Sequence, residues 1–358
     1  MPKASIHQSR PALREPLHSL QAGRAFAAIA VLLLHADRIV GAPDFTGTNF
    51  AHFWFSGGRL GVDFFFALSG FIILHAHACD IGNPGRLGRY LMRRAVRIYP
   101  IYWVILSLSI VGPLLLGRQL GFGELIQNYS LLDLYERPRL VTMAWTLFHE
   151  ILFYLAFAAL ILNRWLGAIV FTAWLLAIVW FQGRAGSPEV ITSQINLGFA
   201  AGMLAYLCVD RLPARAFVWP LIAGVAGLAY LVWATQAAKL ENPPEGVLTA
   251  ASCGLVVMGL AMADRAKAWA VPGSLVFLGA ASYSIYLFQF AALSGAANVL
   301  LRLGGAQPWP PAISVGILVA FGVAAGSATY WMIERPILRR ARAKGAAHEA
   351  NAIAVPVS

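Results

Sequence analysis

Charge is scarce in this chain. Only 12% of its 358 residues are Asp, Glu, Lys or Arg, where a soluble domain carries about 25%. With 59% hydrophobic residues beside that deficit, a soluble globular enzyme is excluded. Cysteine is nearly missing as well. Cys79, Cys208 and Cys253 each lie in or at the edge of an apolar run, without the spacing of a metal knot or a disulfide framework, and they read as small packing thiols. Tandem repeats, low-complexity tracts and loops long enough for a second folded unit are missing too. What is present is one long apolar run after another, separated by short polar loops. The 11 tryptophans and 21 phenylalanines suit lipid-facing and interfacial positions. The fold class is all-α: a polytopic membrane protein of about ten transmembrane helices in one bundle.

The expected spans lie near 18–40, 60–79, 98–117, 141–162, 166–182, 193–209, 217–234, 246–262, 274–301 and 311–333. They form one transmembrane domain over 17–342, between a disordered stretch at 1–16 and a disordered tail at 343–358. The net charge of +11 raises nucleic acid as a partner, but its distribution argues against one. With both termini in the cytoplasm, most Lys and Arg fall on inside segments, as in Arg86, Arg89, Arg93, Arg94, Arg97, Arg335, Arg339 and Arg340. That is the positive-inside pattern of a plasma-membrane protein, so basicity reports topology. The first run is interrupted by Arg24 and exceeds a usual signal core, so it reads as a retained span.

Ionisable groups inside apolar runs are costly and usually face a protein interior or a wet cavity. Arg24 and His35 share the first span. Eleven helical residues separate them by about 16 Å and about three turns, so both point the same way. Asp63 opens the second span four residues after Arg59, and reads equally as a structural ion pair or a reactive carboxylate. Ser69-Gly70 reads as a close-packing point. Glu150 lies near the middle of the fourth span, with Thr146, Phe153 and Phe157 on its face. It needs a proton or a cationic partner there, and Arg24 and His35 are the candidates. His149-Glu150 opens like a zinc-protease motif, but Phe153 stands where the second histidine belongs, and zinc is rejected. Arg94 and Arg97 sit one turn apart at the start of the third span, suited either to forked contacts with phosphate or to plain anchoring. His75 and His77 flank the interface. Ser282, Tyr286 and Gln289 share a face of the ninth span, and Glu334-Arg335-Pro336 closes the last span as a cap and ion pair.

Together these segments resemble the acyltransferase-3 family of integral membrane O-acyltransferases, from about Leu20 to Arg340. The resemblance is carried by the Arg24 to His35 spacing and by Gly61-Val62-Asp63-Phe64-Phe65-Phe66-Ala67-Leu68-Ser69-Gly70-Phe71. It is carried too by Arg94-x-x-Arg97-Ile98-Tyr99-Pro100, and by Trp145-Thr146-Leu147 with Glu150 and Phe153-Tyr154. Ser282-Tyr283-Ser284-Ile285-Tyr286-Leu287 and Glu334-Arg335-Pro336 complete it. It implies a cytoplasmic acyl-CoA, commonly acetyl-CoA, as donor substrate with no permanently bound cofactor. It also implies transfer to a hydroxyl of a sugar or polysaccharide on the outer side, in the style of the exopolysaccharide-modifying branch. His35 is then the catalytic base, and Glu150 orients it or the acceptor. Arg94 and Arg97 grip the donor phosphates, Arg24 lines the donor path, and Asp63, Tyr286 and Gln289 contact substrate. Many relatives have His where this chain has Gln289, and glutamine cannot titrate near neutrality. Membrane lipid, acyl-CoA and a carbohydrate acceptor are the expected partners. The rival reading is an ion-coupled transporter or flippase, which also buries Arg, His and Glu, but the inverted repeat many carriers show is not found.

Overall fold

A computed structural model describes residues 17–47, 50–115, 117–131, 139–182, 184, 189–238, 246–304, 309–341 and 343. The expectations for 1–16 and for most of the tail fall outside those residues. The described residues are helical with short connections, and nine helices among them are long and apolar enough to cross a bilayer. A tenth apolar helix, Gln194–Cys208, is shorter and occupies the expected sixth span.

The principal helices are α1 (His18–Val40), α2 (Leu60–His77), α3 (Leu87–Leu115), α4 (Phe122–Ser130), α5 (Trp145–Leu162), α6 (Arg164–Phe181), α7 (Leu197–Cys208), α8 (Val218–Ala237), α9 (Val247–Ala266), α10 (Gly273–Gly304) and α11 (Pro311–Thr329). A π turn, Tyr330–Glu334, continues α11. α1, α2, α5, α9 and α10 bury half or more of their spans, whereas α6 and α8 bury 17% and ring the bundle. In water such uniformly apolar outer helices would be left unsatisfied; in lipid they are at home.

Small residues set the closest approaches. A Cβ on Gly70 of α2 would strike the Phe199 carbonyl of α7, and one on Gly202 of α7 would strike the Ala67 carbonyl of α2. These paired contacts bear out Gly70 as a packing point. Likewise, Gly279 brings α10 onto the backbone of Gln21 in α1, and the α1–α10 contact is the most extensive in the bundle.

Helix ends find partners. The Asp264 carboxylate of α9 accepts from the amides of Ser19 at 2.8 Å and Leu20 at 3.4 Å, capping α1 from another helix. Asn163 caps α6 by accepting from Trp165 and Leu166. At the opposite end of α1, Asp37 accepts from the amides of Phe50 and Ala51.

Two boundaries differ from the expected ones. α3 begins at Leu87, so Arg89, Arg93, Arg94 and Arg97 all lie inside a helix; long arginine stems let the charged heads reach a polar space from there. The segment expected as an outer loop at 118–140 contains α4, which folds back along α3. Tyr99, Tyr102 and Trp103 of α3 donate to the carbonyls of Ser130, Asn128 and Tyr129 at 2.8, 2.7 and 2.9 Å. Backbone at depth is tolerated where protein satisfies it, and these side chains do so.

Candidate active site

Among the described residues a cavity of about 1630 Å³ enters the bundle, beyond the usual 300–1,000 Å³ of a small-ligand pocket. It opens at the end of the bundle that carries the start of α1, the start of α3 and the end of α11. Arg24, Arg89, Arg93, Arg94, Arg97 and Arg340 line it. Deeper walls come from Thr146, Glu150 and Tyr154 of α5, and from Ser282, Tyr283 and Tyr286 of α10, with Val62, Phe65 and Phe66 of α2.

The helical spacings seen in the sequence place these groups. Arg24 points across to α10, where its Nε donates to the Ser282 hydroxyl at 3.1 Å. Arg97 pairs with Glu334 of the π turn, and its guanidinium lies over the Tyr283 ring at 5.0 Å. Glu334, only 2% exposed, also accepts from the Ser284 hydroxyl at 2.5 Å. Glu150 accepts from the Tyr154 hydroxyl, and Arg94 lies over the Tyr154 ring at 5.7 Å. Arg24 and Arg97 both feel the charges of Glu150 and Glu334. Arg24, Arg97 and Glu150 of the wall and the buried Glu334 behind it thus form one charge cluster, which is how charges persist at such depth.

Two buried polar atoms on residues that line the cavity have no hydrogen-bond partner, Gln21 Oε1 and Arg94 Nε, and buried polar groups are rarely left so. The arrangement offers cations and donors to a phosphate-rich ligand at the mouth. Other lining positions offer hydroxyls and one carboxylate among apolar side chains. From Arg89 to Arg97 is about 12 Å of helix, and Tyr286 lies about 4–5 Å beyond Tyr283.

The structure brings Arg24, Arg94, Arg97, Glu150 and Tyr286 into this one cavity. It places the other three candidates outside its wall. His35 faces α10, as Arg24 does, and meets Phe290 edge-on with ring centroids 6.4 Å apart, one turn of α10 beyond Tyr286. Asp63, 4% exposed, follows the wall residue Val62 and lies near Cys253. Gln289, 1% exposed, donates to the Met143 sulfur at 3.0 Å, and its Oε1 has no partner. His149, rejected as a zinc ligand, bonds Asn196 at 2.9 Å and packs on Phe66 and Trp145. Sequence reasoning gave no site role to Tyr154, Tyr283, Ser284 or Glu334. The Glu334-Arg335-Pro336 motif was the available signal, but its partner Arg97 is more than two hundred residues away.

The pattern of an acyltransferase domain matches residues 17–331 of the chain. The chain is 30% identical over 310 residues to the exopolysaccharide production protein ExoZ of Rhizobium meliloti (strain 1021), covering 81% of this chain and 92% of that protein. It is 28% identical over 365 residues to the acyltransferase MdmB of Streptomyces mycarofaciens, covering 90% and 92%. No solved structure matches it.

Proposed function

Because this chain belongs to the acyltransferase-3 family and is a multi-pass membrane acyltransferase, we propose that it moves an acyl group, acetyl first among candidates, from cytoplasmic acyl-CoA to a sugar hydroxyl. The acceptor class follows the relative that is named for exopolysaccharide production. The basic end faces the cytoplasm of the bacterial inner membrane, with both termini on that side, as the positive-inside distribution supports. The observation that carries the reading is the arginine-lined cavity with the unpartnered Arg94 Nε in its wall. Coenzyme A carries its phosphates on one end of a long arm, and this cavity pairs a group of arginines with a lining that is otherwise largely uncharged.

The chemistry assigns each group a task. Arginines at the mouth hold the phosphates. The thioester arm runs past Arg24 and Ser282 toward Tyr286 and Thr146. His35 removes the proton of the acceptor hydroxyl as its oxygen attacks the thioester carbonyl carbon. The carbon–sulfur bond breaks, and the proton passes on to the leaving thiolate. Glu150, fixed by Tyr154, holds the charge cluster in register. The reading requires the acyl carbon to travel from Tyr286 toward His35, about 6 Å along α10. An acyl-imidazole on His35 is the covalent variant of the same scheme.

The test is transfer or hydrolysis of radiolabelled acetyl-CoA by the purified protein, together with mass spectrometry of secreted and envelope glycans from a deletion strain. Release of label and one lost acyl group support the reading. A protein that carries solute but never cleaves the thioester returns the transporter to first place.

A further inference from the structure

Arg94 and Arg97 stand three residues apart on one helix, and the sequence treats them alike. The structure does not. The Arg97 guanidinium is engaged by the buried carboxylate of Glu334 and covered by Tyr283. Glu334 is itself fixed by the Ser284 hydroxyl and presented by the π turn Tyr330–Glu334, a backbone feature frequent at functional sites. Arg94, in contrast, keeps a buried Nε with no partner in the cavity wall. We propose that Glu334 is a positioning residue: it withholds Arg97 from the ligand and clamps α3 to α10 and α11, leaving Arg94 as the arginine of the pair that grips the donor phosphate.

The physical argument is one of competition. A guanidinium already neutralised by a buried carboxylate has little left for a phosphate, because taking the ligand means sharing or breaking that pair. An unpartnered buried donor gains a bond without breaking one. The clamp also has a mechanical task. Apart from its contacts with α5, α3 meets the rest of the bundle sparsely. Arg97–Glu334 joins it to the α11 end across the cavity. The inference rests on the acyl-CoA reading, and it splits the roles of two arginines that the reading assigns jointly.

Two donors separate the roles: acetyl-CoA, and acetyl-pantetheine, which has the thioester arm but no phosphate. For Arg94→Ala, KM for acetyl-CoA is expected to rise about tenfold or more, with a much smaller change for acetyl-pantetheine. For Glu334→Gln, kcat is expected to fall with both donors by similar factors. The double variant Arg97→Gln/Glu334→Gln removes both charges and is expected to lie closer to the wild type than Glu334→Gln does, since it leaves no uncompensated buried cation. Folding is followed by monodisperse elution and thermal stability in detergent. If Glu334→Gln fails to fold, the double variant and Arg94→Ala still decide. The inference is overturned if Arg97→Gln alone raises KM for acetyl-CoA selectively while Arg94→Ala does not, or if the double variant is no better than the single. A wild-type protein that cleaves neither thioester would instead refute the underlying reading.

Discussion

Arg24 and His35 ride on the same face of the same helix, yet they sit in unlike surroundings. Around Arg24 the bundle is open and cationic, with Arg97 and Glu150 lining the same cavity and Glu334 behind it. Around the half-buried His35 it is more apolar: the ring lies against Phe290, Arg38 is the charge it feels, and the neighbouring Leu32, Ala36 and Val40 of α1 pack with Leu293, Ala297 and Leu318. Under the proposed function, the difference would separate binding from chemistry. A phosphate-rich donor needs an open, charged mouth, whereas a base that takes a proton from an alcohol works best where water is excluded. One helix, about 16 Å from one group to the other, ties the two compartments rigidly together.

The sharpest way to break this division is to remove the imidazole. His35→Ala is expected to lower acyl transfer by about 10²–10⁴-fold, the range for a lost general base, with donor affinity and detergent stability near those of wild type. Transfer by the purified variant checks this, and retained activity would move the chemistry into the donor cavity. Next is the scaffold that holds the cavity wall. Gly202→Leu drives a side chain into the Ala67 carbonyl and is expected to cost about 3 kcal/mol or more, read as a lowered melting temperature. A third test acts within the cavity. Glu150→Gln keeps the shape and the Tyr154 contact but removes one negative charge from the cluster, and transfer is expected to fall about tenfold, the scale of one charged hydrogen bond. The smallest effect belongs to Gln289→Ala, which loses a bond to sulfur and is expected to change transfer only a few-fold, about 1 kcal/mol. A large effect there would place acceptor contacts in the more apolar half.

Much of this was legible in the sequence. The membrane class, the run of spans and the shared face of Arg24 and His35 follow from apolar length and helical period alone. Arg24, Arg94, Arg97, Glu150 and Tyr286 meet as the cost of buried charge requires. Other features were hidden because they depend on pairing between distant segments. The start of α3 at Leu87 was masked by its arginines, which hydropathy counts as loop although the cavity solvates them. α4 was read as loop because its amphipathic character is satisfied by α3 and not by water. Glu334 reads in sequence as a cap and ion pair, and the ion pair is there, but nothing local announces Arg97 as its partner. Of the two candidate partners of Glu150, Arg24 feels its charge while His35 lies outside the cavity wall, because a helical face fixes direction and not depth.

In the proposed function the donor enters the arginine-lined cavity and presents its acyl group near Tyr286. Photocrosslinking with an acyl-CoA that carries a diazirine in the acyl chain, followed by peptide mass spectrometry, tests it most directly. The account predicts label on Phe65, Thr146 or Tyr286, competed away by unlabelled acetyl-CoA. Label confined to the lipid-facing groove between α1 and α8, beside Phe26, Ala229 and Val232, would contradict it.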